Sequence, residues 1–396
     1  MSIGVDNISF VTLVAKAAIG RRLEELCATA SELRDREKGR IISFSPKVFI
    51  PLTQLCRDFC SYCTYRQSPN EAQHLYMTPE EILKVAKAGE ERGCREALFV
   101  LGERPEQRYA APRRWLHDHG YDSSLHYLYE MCKLILRESA LYPHSNPGTM
   151  THREMMALKE VNASLGLMLE SSSVRLCDKG GPHEHAPSKR PQVRLTVLRR
   201  AGELKIPFTT GLLIGIGETM EERLEALRAI ADLHKKYGHI QEVIIQNFRS
   251  KPDTPMGEAP EPSIQEILET VAMARLTLGG EMNIQVPPNL SMHNGKASYL
   301  VYLKGGINDW GGISPLTIDY VNPEAPWPHI VRMRRQMIEQ GFELRARFPV
   351  YPEYILQKSD YLPESVKRRL HSEADSQGYI RGRGMSNDEC RMTNVE

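Results

Sequence analysis

Leu55-Cys56-Arg57-Asp58-Phe59-Cys60-Ser61-Tyr62-Cys63-Thr64-Tyr65 sets three cysteines within eight residues, spaced C-x3-C-x2-C, with an aromatic directly before the third. Thiols this dense, just past the apolar run Val48-Phe49-Ile50-Pro51-Leu52, indicate one shared soft-metal site. A structural zinc would need a fourth ligand and usually a second C-x2-C pair, whereas only His74 lies nearby. A disulfide would strand the third cysteine, and the chain lacks the marks of a secreted protein. A four-iron cubane held by Cys56, Cys60 and Cys63 suits the spacing and leaves one iron without a protein ligand, open to chemistry.

Outward from this stretch, short apolar runs alternate with helices. Strands are expected at Lys47–Leu52, Ala97–Leu101, Leu141–His144, Ser164–Leu169, Phe208–Ile214, Ile240–Gln246 and Asn283–Val286, with another near Gly311–Ser314. Helices open on capping boxes at Thr78 with Glu81, Thr151 with Glu154, Thr219 with Glu222 and Ser263 with Glu266. This alternation predicts an α/β fold, a parallel sheet with its helices outside. No G-x-G-x-x-G follows a first strand, so a (βα) TIM-type barrel, complete or six-stranded, is preferred to an open doubly wound sheet. Active sites of such barrels lie at the C-terminal strand ends, and the three cysteines follow the first strand.

Residues 1–40 read as an N-terminal helical extension, with Leu13, Ala17, Leu23, Leu26 and Cys27 on one face. Residues 41–350 form the barrel, and 351–396 a C-terminal segment whose tail frays from Gln377. The polar stretch Arg104–Ser124, with Arg113, Arg114, Trp115, His117 and His119, is either a solvated insertion or a lid or partner surface. Cys27, Cys94, Cys132, Cys177 and Cys390 read as packing residues.

The 396 residues carry 51 Lys+Arg against 50 Asp+Glu, so no net charge advertises a nucleic-acid or anionic-membrane partner. No apolar run approaches the roughly 20 residues that span a bilayer. Phe10–Gly20 is interrupted by Lys16 and makes a poor signal peptide. These features point to a cytoplasmic protein.

Each strand end offers candidate groups. Leu101-Gly102-Glu103 pairs a glycine that lets a ligand approach with a carboxylate that can accept from an ammonium group. Glu170 closes an apolar run, where an unpaired burial would be costly. Arg194 offers a bidentate fork on the helix after Pro191. Gly211 to Thr219 is glycine-rich but no P-loop, since no lysine follows the last glycine. His183 and His185, in a loop with Lys189 and Arg190, and Gln246 with Asn247, are candidates for reading a polar substrate.

The cysteine stretch resembles the signature of the radical S-adenosylmethionine (SAM) superfamily. That resemblance implies a 4Fe-4S cluster on Cys56, Cys60 and Cys63, whose free iron holds SAM and whose reduction yields a 5'-deoxyadenosyl radical. It also implies SAM contacts: Gly102 and Glu103 at the methionine amino group, Glu170 at the ribose, Arg194 at the carboxylate, and Tyr62, Ile214 and Gly215 by the adenine. Leu101 replaces the first glycine of the superfamily's Gly-Gly-Glu.

The match is narrower still. Cys60-Ser61-Tyr62-Cys63-Thr64-Tyr65-Arg66, the run Pro207 to Thr219 and the run Ile240 to Phe248 are similar to the 7,8-didemethyl-8-hydroxy-5-deazariboflavin (FO) synthases, in their cyclising subunit. The resemblance implies cyclisation of a hydroxybenzyl–ribityldiaminouracil adduct with loss of ammonia. It implies a partner radical SAM subunit on a separate chain, and an external electron donor. The nearest alternatives are the sister enzyme that joins tyrosine to 5-amino-6-(D-ribitylamino)uracil and the menaquinone-pathway barrels, which tend to carry Phe where this chain has Tyr62.

Overall fold

The computed structural model describes residues 7–293, 296–297 and 299–381, with side chains from residue 22 onward except 292–298. Helix α1 (Asn7–Lys38) leads into the long strand β1 (Ile41–Thr53). Then follow α2 (Pro79–Glu91), β2 (Glu96–Leu101), α3 (Ala110–Asp118), α4 (Ser124–Glu138), β3 (Tyr142–Asn146), α5 (His152–Lys159) and β4 (Ser164–Gly166). The second half runs α6 (Pro191–Glu203), β5 (Phe208–Ile214), α7 (Met220–Tyr237), β6 (Ile240–Asn247), α8 (Ile264–Leu278), β7 (Ile284–Gln285) and β8 (Asp309–Ile313).

Strands β1 to β8 pair in parallel, each with the next, and β8 returns to β1. The barrel is therefore closed and eight-stranded, the complete form of the expected architecture. Nearly every β1 side chain is buried, as a strand covered on both faces requires. All of the expected capping boxes form reciprocally, at Thr78–Glu81, Thr151–Glu154, Thr219–Glu222 and Ser263–Glu266. Each satisfies backbone N–H groups that the first helical turn leaves free. Among the described residues, no helix is long and apolar enough to cross a membrane.

Three expectations are corrected. The fourth strand ends at Gly166 rather than Leu169, because the chain turns to reach Glu170, which sits at φ +69° and makes only an isolated bridge to Leu212. A further strand, β9 (Glu343–Ala346), follows α9 (Ile330–Glu339) and pairs with the first residues of β1. The tail holds together through Arg381, with Ile380 N–H donating to Ala346 at 3.0 Å and Tyr379 N–H to Asp375 at 3.1 Å. Leu13, Ala17 and Cys390 lie outside the residues whose side chains are described.

The Arg104–Ser124 insertion is packed rather than loose. Trp115 stacks on Tyr76 at 4.7 Å and on His119 at 4.1 Å, and Ser124 donates to the buried Glu106 at 2.6 Å. It also braces the cysteine loop, since Arg108 donates to the Arg57 carbonyl at 2.7 Å.

The lower, N-terminal end of the barrel is stoppered. Phe348, Val350, Tyr351 and Tyr354 cluster with Tyr142 and with Leu362, Val366 and Leu370 from α10 (Pro352–Leu356) through α11 (Glu364–Glu373). Above them, Arg347 donates to Asp309 at 2.7 and 2.9 Å and to Glu242 at 3.2 Å, with Tyr351 donating to Glu242 at 3.0 Å. Burial pushes the Glu242 carboxyl up to about 7 although Arg347 opposes it.

Candidate active site

The cysteine loop leaves β1 at the upper rim and is pinned by backbone hydrogen bonds to its neighbours. Arg57 N–H donates to Glu103 at 2.8 Å, Phe59 N–H to His185 at 2.9 Å and Ser61 N–H to Pro182 at 2.9 Å. Asp58 is buried and accepts from the Ser188 hydroxyl and N–H, which ties the loop to the segment before α6. Tyr65 bridges the ends of β1 and β2, donating toward Thr53 and Val100.

Cys56, Cys60 and Cys63 all line one cleft of about 340 Å3 inside the upper barrel. Burial pushes the Cys56 thiol up to about 12 and raises that of Cys60 as well. Among the described residues, no three His, Cys, Asp or Glu side chains form a group for a single metal ion. A cubane asks for something different, each thiolate on its own iron. The donors fit that group: three soft sulfurs face a common cleft, and Cys56 already accepts the Glu103 N–H at 3.1 Å, the kind of support a bound thiolate receives.

The SAM candidates divide. Tyr62, Gly102, Glu103, Glu170 and Arg194 line the cleft with the cysteines. Gly102 has a backbone reason to be glycine, since a Cβ there would run into the Leu55 carbonyl. Glu103 is 6 % exposed and accepts from Thr149 N–H at 2.9 Å and from its hydroxyl. Arg194 donates to the carbonyls of Ser188 at 2.8 Å and Met168 at 3.0 Å. Ile214 is fully buried in the core behind the wall, and it is Leu213 that faces the cleft. Gly215, at φ +92°, opens the turn that Glu218 closes by accepting from the N–H groups of Gly215 and Ile216.

Glu170 is the electrostatic centre of the upper rim. Lys189 Nζ bonds its Oε1, and Tyr62 donates to its Oε2 at 3.1 Å. Burial raises this carboxyl, but Lys189 and then Arg194 outweigh it and hold it down at about 2. His183 is buried with Nε2 2.9 Å from the Tyr62 hydroxyl, and burial lowers it to about 4. It stays neutral near pH 7 and fixes Tyr62 from behind. His185 turns outward, its side chain 68 % exposed beside Glu184. Gln246 lines the cleft, whereas Asn247 points away and donates to the Leu290 carbonyl at 3.4 Å.

Sequence reasoning named Lys189 without giving it a role and missed Asp58, Ser188, Gln285 and Lys47 at this site. Only Lys47 left a signal, a charge inside an apolar strand.

The Radical SAM superfamily pattern matches residues 50–230. The chain is 50 % identical over 341 residues to the 7,8-didemethyl-8-hydroxy-5-deazariboflavin synthase of Methanopyrus kandleri, covering 86 % of this chain and all of that one. It is 47 % identical over 377 residues to the FO synthase of Mycobacterium tuberculosis, covering 91 % of this chain but 44 % of that one, so it spans under half of the mycobacterial protein. The hydrogenase maturase HydG of Carboxydothermus hydrogenoformans shares the fold at TM-score 0.65 and 22 % identity, covering 88 % of this chain and 79 % of that one. Methylornithine synthase (PylB) does so at TM-score 0.63 and 20 % identity, over 81 % and 89 %. On its sequence and on the cysteine-lined cleft of its closed barrel, the chain belongs to the radical SAM family of 7,8-didemethyl-8-hydroxy-5-deazariboflavin (FO) synthases.

Proposed function

We propose that this chain performs the cyclising step of FO synthesis. The substrate would be 5-amino-5-(4-hydroxybenzyl)-6-(D-ribitylimino)-5,6-dihydrouracil, converted to FO with release of ammonia, 5'-deoxyadenosine and methionine. The observation that carries this reading is the match to the M. kandleri synthase over that protein's full length.

Cys56, Cys60 and Cys63 would hold a 4Fe-4S cluster that, with SAM bound, supplies a 5'-deoxyadenosyl radical able to take a hydrogen atom from the adduct. The chain's own residues bind and orient. Glu103 faces the cleft as a buried carboxylate suited to the SAM ammonium, and Glu170, kept ionised by Lys189, suits the ribose hydroxyls. Arg194, also facing the cleft, is the partner for the SAM carboxylate. Tyr62 and Leu213 wall the adenine side, Gly102 lets the ligand come close, and Ile214 and Gly215 shape that wall from behind. Gln246 meets the uracil ring, and His183 acts through Tyr62. The outward side chain of His185 and the inward packing of Asn247 assign them no substrate contact. The apolar walls Phe49, Leu98 and Leu167 exclude water from the reacting carbon. The tyrosine-joining reaction belongs to a partner radical SAM unit, consistent with the length of the mycobacterial relative beyond the matched part.

The test is an anaerobic incubation of reconstituted protein with SAM, a reductant and the purified adduct. FO appearing with deoxyadenosine and ammonia is expected. An adduct left intact, with tyrosine and the diaminouracil consumed in a parallel incubation that supplies them, would replace this reading with the joining reaction.

A further inference from the structure

The cleft floor carries a cation that no other described side chain engages by hydrogen bond or ion pair. Lys47 lies in the middle of β1, opposite Glu96 of β2, and is 8 % exposed with its side chain lining the cleft. Its Nζ stands 4.9 Å from the Trp327 ring centroid and 5.7 Å from that of Phe49. A Cβ on Gly312 would collide with the lysine's last carbons, so this glycine keeps the side chain's path clear.

Every charged group facing Lys47 is otherwise engaged. Glu96 accepts from Ser45, and Asp319 accepts from Asn289 at 2.9 Å and from the N–H of Val321 at 3.0 Å. Glu242 and Arg347 hold each other, and His144 of β3 bonds Ser164. Burial pushes the Lys47 ammonium below its usual range, with Glu96, Asp319 and Glu242 opposing and Arg347 adding to the effect. The Lys47 Nζ has no hydrogen-bond partner among the described residues and opens on the cleft, where a ligand oxygen can bond it.

The walls say which oxygen. Nζ stands by the rings of Phe49 and Trp327, with Leu98 packed beside Phe49 in the same cleft, apolar surroundings that suit an aromatic ring carrying one polar group toward the ammonium. The same cleft is lined by Gln246, Gln285 and Asn146, amides suited to the donors and acceptors of a pyrimidine. We propose that Lys47 recognises the phenolic hydroxyl of the substrate, with the phenol ring against Phe49 and Trp327 and the hydroxyl hydrogen-bonded to Nζ. This rests on the cyclising reading above. It makes Lys47 a specificity-determining residue, since a site built to bond a hydroxyl rejects the analogue lacking it.

The experiment compares binding of the hydroxybenzyl adduct and of its benzyl counterpart, lacking only the hydroxyl, by calorimetry on the anaerobic, cluster-loaded, SAM-bound enzyme. The wild type should prefer the hydroxyl form by roughly 10- to 100-fold. Lys47→Met should bind the two equally while keeping its iron content. Lys47→Gln, which retains a polar head of similar reach, should keep part of the preference. A wild type that binds both forms alike, or a Lys47→Met enzyme that still discriminates, overturns the assignment. Because FO formation is scored separately, the two readings fail separately. FO made without discrimination sinks only the Lys47 assignment, and Lys47-dependent discrimination without FO sinks only the cyclisation.

Discussion

The backbone N–H of Glu103 donates to the Cys56 sulfur at 3.1 Å, tying the end of β2 to the first cysteine of the loop. That bond exists because Gly102 lets the two segments touch: a Cβ there would strike the Leu55 carbonyl and lie 2.8 Å from the Cys56 Cβ. Gly102→Ala should therefore push the loop off β2. Overpacking of this kind costs about 1–3 kcal/mol. Iron and sulfide content should fall by at least half after reconstitution, and a full complement would show that this contact is dispensable.

Cys60→Ala tests the ligand set itself. The variant should keep its circular dichroism and lose the four-iron chromophore, because two thiolates do not hold a cubane. Recovery of a complete four-iron cluster would reassign the ligands.

Glu170→Gln removes the charge that Lys189 closes on. The pair is largely buried, so leaving the lysine unmatched should cost about 3 kcal/mol in denaturant unfolding. The native carboxyl, held near 2, contributes its full stability above the ordinary carboxylate range and loses it as pH falls from about 4.5 toward 2. The variant's acid limb should be shallower over that window. An identical acid limb would mean that Lys189 finds another partner.

Arg347→Met should be among the most damaging changes, about 3–5 kcal/mol, because it leaves Asp309 and Glu242 buried and facing each other. The Glu242 carboxyl, already raised to about 7, should rise further and take up a proton. The variant should therefore regain part of its stability as pH falls from 8 to 6. Urea midpoints at the two ends of that range decide the matter.

Three buried histidines and the half-buried His234 set a broader pH dependence. Burial, the largest cause for each, holds His144, His183 and His234 at about 4 and His239 at about 3. The unfolded chain binds protons at these sites from the ordinary imidazole range downward while the folded one does not. Stability is thus full above about pH 6.5 and declines as pH falls toward 4. Thermal midpoints should drop between pH 7 and pH 5, and His239→Gln should lessen the slope. Midpoints that stay level across that interval would contradict the burial argument.

What was legible in the sequence was local or periodic. Thr78 and Glu81 announce a helix start whatever surrounds them, and the three cysteines announce their chemistry by spacing alone. What escaped depends on contacts far along the chain. Glu343–Ala346 alternates charge with apolar residues and shows its strand character only against the first residues of β1. Ile214 sits in a motif whose neighbour Leu213 faces the cleft, because strand alternation decides which of two adjacent apolar residues points inward. His183 and His185, two positions apart in a loop with no periodicity to read, take opposite fates: one is buried on Tyr62, the other left in solvent. The value of Lys47 appears only once Gly312 is seen to make room for it.

Closure of the barrel by β8 against β1 has a consequence in time. Ser43, near the start of the chain, bonds Asn308, 265 positions later, and β9 joins the same strand later still. As the polypeptide emerges from the ribosome, β1 exists long before the strands that complete it. Such distant pairings are slow to form and leave edges exposed meanwhile. The cysteine loop, made early, must wait on a half-built wall, and the cleft it lines is closed only once a strand some 265 positions further on has been made.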